Sequence, residues 1–160
     1  MLVCEHYAKS ILEYHRRGFE FINLKRFIFY LPKVHSEAVF ESSRLRIDFT
    51  PVKVLQNSQS GGSVGVDREA FWSIGGFDER FVGWGGEDNE LWERAQMRRV
   101  YPFSFLPMVH LWHAPQPDKY KRDEGNTLDL YRTLSHIPIP ERVRALRDRT
   151  LGEMSGPKTD

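Results

Sequence analysis

Three acids in four positions, Glu87, Asp88 and Glu90, follow a loop made of one tryptophan and three glycines, Gly83-Trp84-Gly85-Gly86. Glycines let a backbone take positive φ and come close to a ligand. The acids open a helical pattern: Leu91, Trp92 and Ala95 recur at helical spacing, and Glu90 with Arg94 forms a favourable i,i+4 pair. Glu87 and Asp88 therefore fall in a helix's first turn. There they either simply match the positive end of the helix dipole or serve a ligand that the glycines admit. Trp84 has glycine neighbours, which give an indole no core to pack in. A flat apolar ring on such a loop suits the C–H face of a pyranose.

Histidines are the other groups with ligand chemistry. In Met108-Val109-His110-Leu111-Trp112-His113 a continuous strand would put His110 and His113 on opposite faces. The two could then share a metal only if the strand ended between them. His113 precedes Ala-Pro, where a loop could open a site. His6, His15, His35 and His136 carry no further signal. Lys25-Arg26 could hold a phosphate on weak grounds. Arg142, Arg144, Arg147 and Arg149 have the spacing of a solvated helix face, and Trp72 and Trp92 read as core.

These groups need a scaffold, and 160 residues is a one-domain length. With 40% hydrophobic residues the chain can build a core, and a net charge of +1 gives no argument for a nucleic-acid partner. The single cysteine, Cys4, excludes an intrachain disulfide and any CxxC zinc site. No apolar run approaches the roughly 18–20 residues of a spanning helix. A cytoplasmic protein is expected, with peripheral attachment to the inner membrane left open.

The pattern predicts helices over 4–17, 34–42, 68–72, 87–99, 126–134 and 141–149. Short strands are predicted at 19–23, 27–31, 50–55, 63–66, 101–106 and 107–113. Asp67 reads as one N-cap and Asn126 as another. The prolines at 138 and 140 read as helix breakers, and 151–160 as a disordered tail. Such alternation points to an α/β unit over 1–150.

The order Gly61-Gly62-Ser63-Val64, Phe71, Gly75-Gly76-Phe77-Asp78-Glu79, Gly83-Trp84-Gly85-Gly86-Glu87-Asp88-Asn89-Glu90 and a downstream His113 resembles the C-terminal domain of galactosyltransferases. That domain is shared by β-1,4-galactosyltransferases and related bacterial family-2 enzymes of the GT-A fold. The similarity covers 61–113, about a third of the chain, and rests on the Trp-Gly-Gly-Glu-Asp run with its upstream Gly-Gly-Phe.

The resemblance implies a fold class, the C-terminal half of a GT-A fold, with a mixed sheet and flanking helices. It also implies roles. Asp88 falls on the base that deprotonates the acceptor hydroxyl in inverting members, and Glu87 on a residue that contacts sugar hydroxyls. Trp84 falls on the loop tryptophan that closes over donor and acceptor, with Gly62, Gly85 and Gly86 as further substrate contacts. His113, or alternatively His110, falls on a ligand of the Mn²⁺ or Mg²⁺ that carries the donor's diphosphate.

The implied partners are a nucleotide-sugar, carrying a hexose such as galactose, and a glycan acceptor. A carboxylate in a helix's first turn is stabilised as the anion, which suits a base, and a hard cation suits a diphosphate leaving group. Retaining polypeptide transferases show an amide where this chain has Asp88, so inversion is expected.

In one respect the sequence departs from the pattern. It contains no Asp-x-Asp, the element that binds metal and nucleotide in such enzymes. The expectation is a truncated, acceptor-side half of a transferase, inactive alone, with a non-catalytic carbohydrate- or partner-binding module as the alternative. A sheet without its nucleotide-binding strands would leave an open edge and an apolar face, so self-association is expected too.

Overall fold

Two long extended runs, 21–30 and 100–110, lie side by side and parallel, and the rest of the chain is arranged on them. The computed structural model describes residues 1–42, 49–56, 61, 63–115 and 127–152. In chain order its elements are β1 (Leu2–Val3), α1 (Tyr7–Arg16), β2 (Phe21–Ile22), β3 (Lys25–Tyr30), α2 (Lys33–Ser42), β4 (Lys53–Gln56) and β5 (Gly65–Val66). These are followed by α3 (Arg68–Ser73), α4 (Glu87–Ala95), β6 (Val100–Tyr101), β7 (Leu106–His110), α5 (Thr127–Ser135) and α6 (Ile139–Arg147). Among the described residues the strands form two mixed sheets, ordered β1-β7-β3-β4 and β5-β2-β6.

The parallel runs cross from one sheet to the other together. β2 pairs with β6, and β3 with β7. Between the two pairings, the Leu24 carbonyl accepts from the N–H groups of Phe105 (2.9 Å) and Leu106 (2.7 Å). Where β3 begins, its register against β7 slips: Lys25 faces Leu106 and Phe27 faces Pro107. Arg26 is the extra residue of a bulge, which re-aims the side chain before it. The consequence is visible in burial, since Lys25 and Ile28 are both buried although an unbroken strand would turn them to opposite faces. The bulge also accommodates Pro107, which has no N–H to donate. The chain was expected to break at this proline; instead β7 runs through it, and β1 pairs only with Met108 and Val109 beyond it.

The main apolar cluster joins the smaller sheet to three helices. Phe21 of β2 packs with Ala70, Ile74, Leu91, Ala95 and Val143. α3 starts where expected, with Asp67 Oδ1 accepting the Ala70 N–H at 2.9 Å, and Gly75 and Gly76 at φ of 87° and 65° stop it. α4 ends at Ala95, four residues before the predicted end. There the N–H groups of Met97 and Arg98 turn to carbonyls three residues back (3.1 and 2.9 Å), a tightened last turn. Pro138 and Pro140 do more than break a helix: Pro138 is the N-cap of α6 and Pro140 sits in its first turn, where a missing N–H costs nothing.

Three readings of side chains are corrected. Trp72 is not core; it is 47% exposed at the edge of the cluster. Arg142 is not on a solvated face but buried, and Arg149 donates to the carbonyls of Gly75 and Phe77. Helical spacing alone does not say which stripe of a basic helix meets acids from a neighbour. The Asn126 cap and most of the tail lie outside the described residues.

Candidate active site

Gly83, Gly85 and Gly86 all take positive φ, at 127°, 106° and 89°. Gly86 is the N-cap of α4 in the left-handed conformation and has no side chain to satisfy the first turn. Glu87 instead ties the loop to the helix start, its Oε2 accepting the Gly85 N–H at 2.9 Å. The loop lies tight on α5. A Cβ added to Gly86 would sit 2.8 Å from the Tyr131 Cβ and 3.1 Å from the Thr127 carbonyl oxygen. The Thr127 hydroxyl donates to the Trp84 carbonyl at 2.8 Å. Trp84 is thus held by its backbone while its side chain stays 55% exposed, as a platform for a flat ligand requires.

Asp88 stands one residue into the helix, against Gly61. The approach is close: an alanine Cβ at Gly61 (φ 86°) would lie 2.8 Å from Asp88 Oδ2. Lys25 Nζ donates to the Gly61 carbonyl from the other side. The electrostatics differ from the expectation for a first-turn acid. Burial pushes the Asp88 carboxyl above its ordinary value, the Glu87 charge pushes it further, and the Lys25 charge only partly opposes them. Dipole matching stabilises an exposed anion; here loss of solvent outweighs it. Burial pulls the Lys25 ammonium below its ordinary value, and Asp88 partly restores it.

Behind these two acids, α4 is locked by charge. Glu90 and Arg94 are both fully buried and bonded through two contacts, 2.7 and 2.5 Å. Arg94 Nη1 also donates to the Ile74 carbonyl. From α6, Arg142 reaches Glu93 at 2.8 Å and Glu90 at 3.4 Å, and from α5 the Tyr131 hydroxyl donates to Glu93. Asp78, in the Gly-Gly-Phe-Asp turn, is fixed similarly. Burial raises its carboxyl, but the Arg80 side chain and N–H and the Arg149 charge outweigh that and hold it below the usual range. The end of α3, α5 and α6 therefore hold α4 in place through Glu90, Glu93 and Arg94.

The histidines meet each other. β7 ends at His110, so strand alternation no longer separates the pair, and their ring centroids are 5.1 Å apart. His110 stacks on Tyr30 at 4.5 Å, and burial lowers its proton affinity. His113 is exposed, its Nδ1 3.0 Å from the Ala114 carbonyl. Among the described residues no three His, Cys, Asp or Glu side chains converge on one point. Two imidazoles alone do not suit Mn²⁺ or Mg²⁺, which take mainly oxygen ligands. The described residues therefore do not make a site for the expected cation.

Of the residues singled out in the sequence, Trp84, Gly85, Gly86, Glu87 and Asp88 come together in one loop and helix start. Gly62 lies outside the described residues. Sequence reasoning did not find Lys25 beside Asp88 or Arg142 beneath Glu90. The first is placed by a bulge with no sequence signature, and the second by helix packing.

Known proteins similar to this chain agree with the motif. A family model described as the N-terminal domain of galactosyltransferase matches residues 44–110, a stretch that holds Trp84 to Glu90 and ends before His113. β-1,4-Galactosyltransferase 4 of Homo sapiens is 33% identical over 83 residues, 52% of this chain and 23% of that protein. β-1,4-Galactosyltransferase 5 of Danio rerio is 50% identical over 95 residues, 51% of this chain and 25% of that protein. A putative polypeptide N-acetylgalactosaminyltransferase 9 of Drosophila melanogaster is 31% identical over 118 residues, 71% of this chain and 18% of that protein. The chain spans a quarter or less of the length of these relatives. No solved structure matches it significantly. The chain carries a galactosyltransferase-like domain, and its mixed α/β architecture is consistent with a GT-A-like one.

Proposed function

We propose that this chain is the acceptor-side part of an inverting glycosyltransferase, with Asp88 as the base that takes the proton of the acceptor hydroxyl. The observation that carries the reading is the Asp88 carboxylate: half-buried, raised in proton affinity, and set in the first turn of a locked helix beside an exposed tryptophan. A base works best when its proton affinity approaches the working pH, and burial moves Asp88 in that direction. The acceptor hydroxyl attacks the donor's anomeric carbon as its proton passes to Asp88, and the nucleoside diphosphate leaves. Trp84 offers its face to a pyranose, and Glu87, anchored through one oxygen to Gly85, has a second oxygen for a sugar hydroxyl.

A nucleotide-sugar carrying a hexose such as galactose is the proposed donor, and a glycan the proposed acceptor; the galactosyltransferases among the relatives support that choice. A bound Mn²⁺ or Mg²⁺ would need oxygen ligands that the described residues do not gather, with His113, or alternatively His110, bringing one nitrogen at most. Self-association belongs to the same proposal. Among the described residues β4 is an edge strand, and Val52 just before it and Val54 within it are 69% and 48% exposed. No helix among the described residues is long and apolar enough to cross a membrane.

The test is turnover of nucleotide-sugars on saccharide acceptors by a complete transferase in which this chain is joined to a donor-binding half, read as nucleoside diphosphate released. Asp88→Asn should lower kcat by about 10²–10⁴-fold with acceptor binding kept, and the product should have the anomeric configuration opposite to the donor's. Near-normal turnover in the variant, or a retained configuration, would remove Asp88 from this role. Saccharide binding without turnover in that complete protein would favour the non-catalytic binding module.

A further inference from the structure

Lys25 is a buried cation that the reading above leaves without a role. It exposes no surface, and an ammonium withdrawn from water is costly unless it is bonded and balanced. The bulge at the start of β3 turns it inward, and its own N–H is held by Asn23 Oδ1 at 3.1 Å. Its Nζ donates to the carbonyl of Gly61. Gly61 is the residue whose Cα faces Asp88 so closely that a methyl group there would meet Oδ2 at 2.8 Å. Cation, Gly61 and carboxylate are therefore layered in that order.

We propose that Lys25 is a positioning residue for Asp88: its ammonium pins Gly61 against the carboxylate and supplies the counter-charge to Asp88 next to Glu87. Among the described residues the charged groups acting on Asp88 are Glu87 on its own helix and Lys25 on β3. Glu87 and burial both favour the neutral acid, so the lysine is the influence opposing them. A lysine that merely anchored a loop would leave the titration of Asp88 unchanged. The functional meaning of the pair rests on Asp88 being the base; the pairing itself does not.

The test is a carbon-13 NMR titration of the Asp88 carboxyl in the whole chain. In Lys25→Met, which keeps most of the buried stem and removes the charge, the midpoint should move to higher pH; in Lys25→Arg it should stay near the wild-type value. Because Lys25→Met could disturb folding, the reciprocal is measured in Asp88→Asn, where the Lys25 side chain should lose its proton at lower pH than in wild type. An unmoved Asp88 midpoint in a folded Lys25→Met, or an unmoved Lys25 midpoint in Asp88→Asn, would overturn the inference. Neither measurement needs turnover. A coupled pair together with near-normal turnover of Asp88→Asn in the complete transferase would uphold the pairing and remove Asp88 as the base.

Discussion

Replacing Gly86 by alanine should destabilise the protein by about 2–5 kcal/mol, the sum of two separable effects. The first is conformational. Gly86 sits at φ 89°, and a Cβ in the left-handed region costs roughly 1–2 kcal/mol. The second is steric. The new methyl group would lie 2.8 Å from the Tyr131 Cβ and 3.1 Å from the Thr127 carbonyl oxygen. These are backbone-proximal atoms of α5 that cannot rotate away, so α4 and α5 must separate, and such overpacking costs about 1–3 kcal/mol. Gly83→Ala provides the control in the same loop. Its φ is also positive, at 127°, but its nearest neighbour is the Thr127 methyl at 3.7 Å, an ordinary contact. Urea melts of the three proteins should show both variants below wild type and Gly86→Ala below Gly83→Ala by about 1–3 kcal/mol. In a 160-residue chain each kcal/mol moves Tm by about 2–4 °C, so thermal melts should rank them alike. Equal melts for the two variants would show that the loop does not bear on α5, and Trp84 would then lack the backbone support described for it.

The buried ion cluster should respond sharply. Glu90→Leu leaves the guanidinium of Arg94 without its carboxylate in a site with no solvent, and a loss of about 3–5 kcal/mol is expected in denaturant melts; the double change Glu90→Leu with Arg94→Met should recover most of it. Asp88 should behave in the opposite sense. Its folded-state pKa is raised by burial and Glu87, so its contribution to stability is full below its unfolded pKa and is lost as pH rises through the folded value. At neutral pH the ionised carboxylate weakens the fold. Asp88→Asn should therefore melt above wild type at pH 7, with the gain shrinking as pH falls towards 4; a variant less stable than wild type at neutral pH would refute the raised affinity. Taken with a loss of turnover, that gain is what a group kept for chemistry rather than stability would show.

Much of the site could be read from the chain because its signals are local. Glycines at 83, 85 and 86 announce positive φ, and all three have it. Asp67 announces a cap, and its carboxylate makes the bond. Glu87 and Asp88 were expected in a first turn and are there. Other features were not legible. Whether the strand ended between His110 and His113 decided if the rings could meet, and that end is set by where β3 and β1 stop pairing with β7. Burial of Arg142 needed the position of α6 over α4, a contact between residues about fifty apart.

The sequence by itself determined the order of elements after β1, the glycine loop, the acids at the head of α4 and the galactosyltransferase motif, because each depends on residues within a turn or two of one another. Only the tertiary structure decided the electrical state of Asp88. The helix dipole, readable from position, argues for a ready anion. Burial against Gly61 and the opposing charge of Lys25 are long-range facts, whereas the charge of Glu87 comes from the preceding residue. Burial outweighs the dipole because desolvation acts on the whole charge, whereas a helix end contributes a fraction of one.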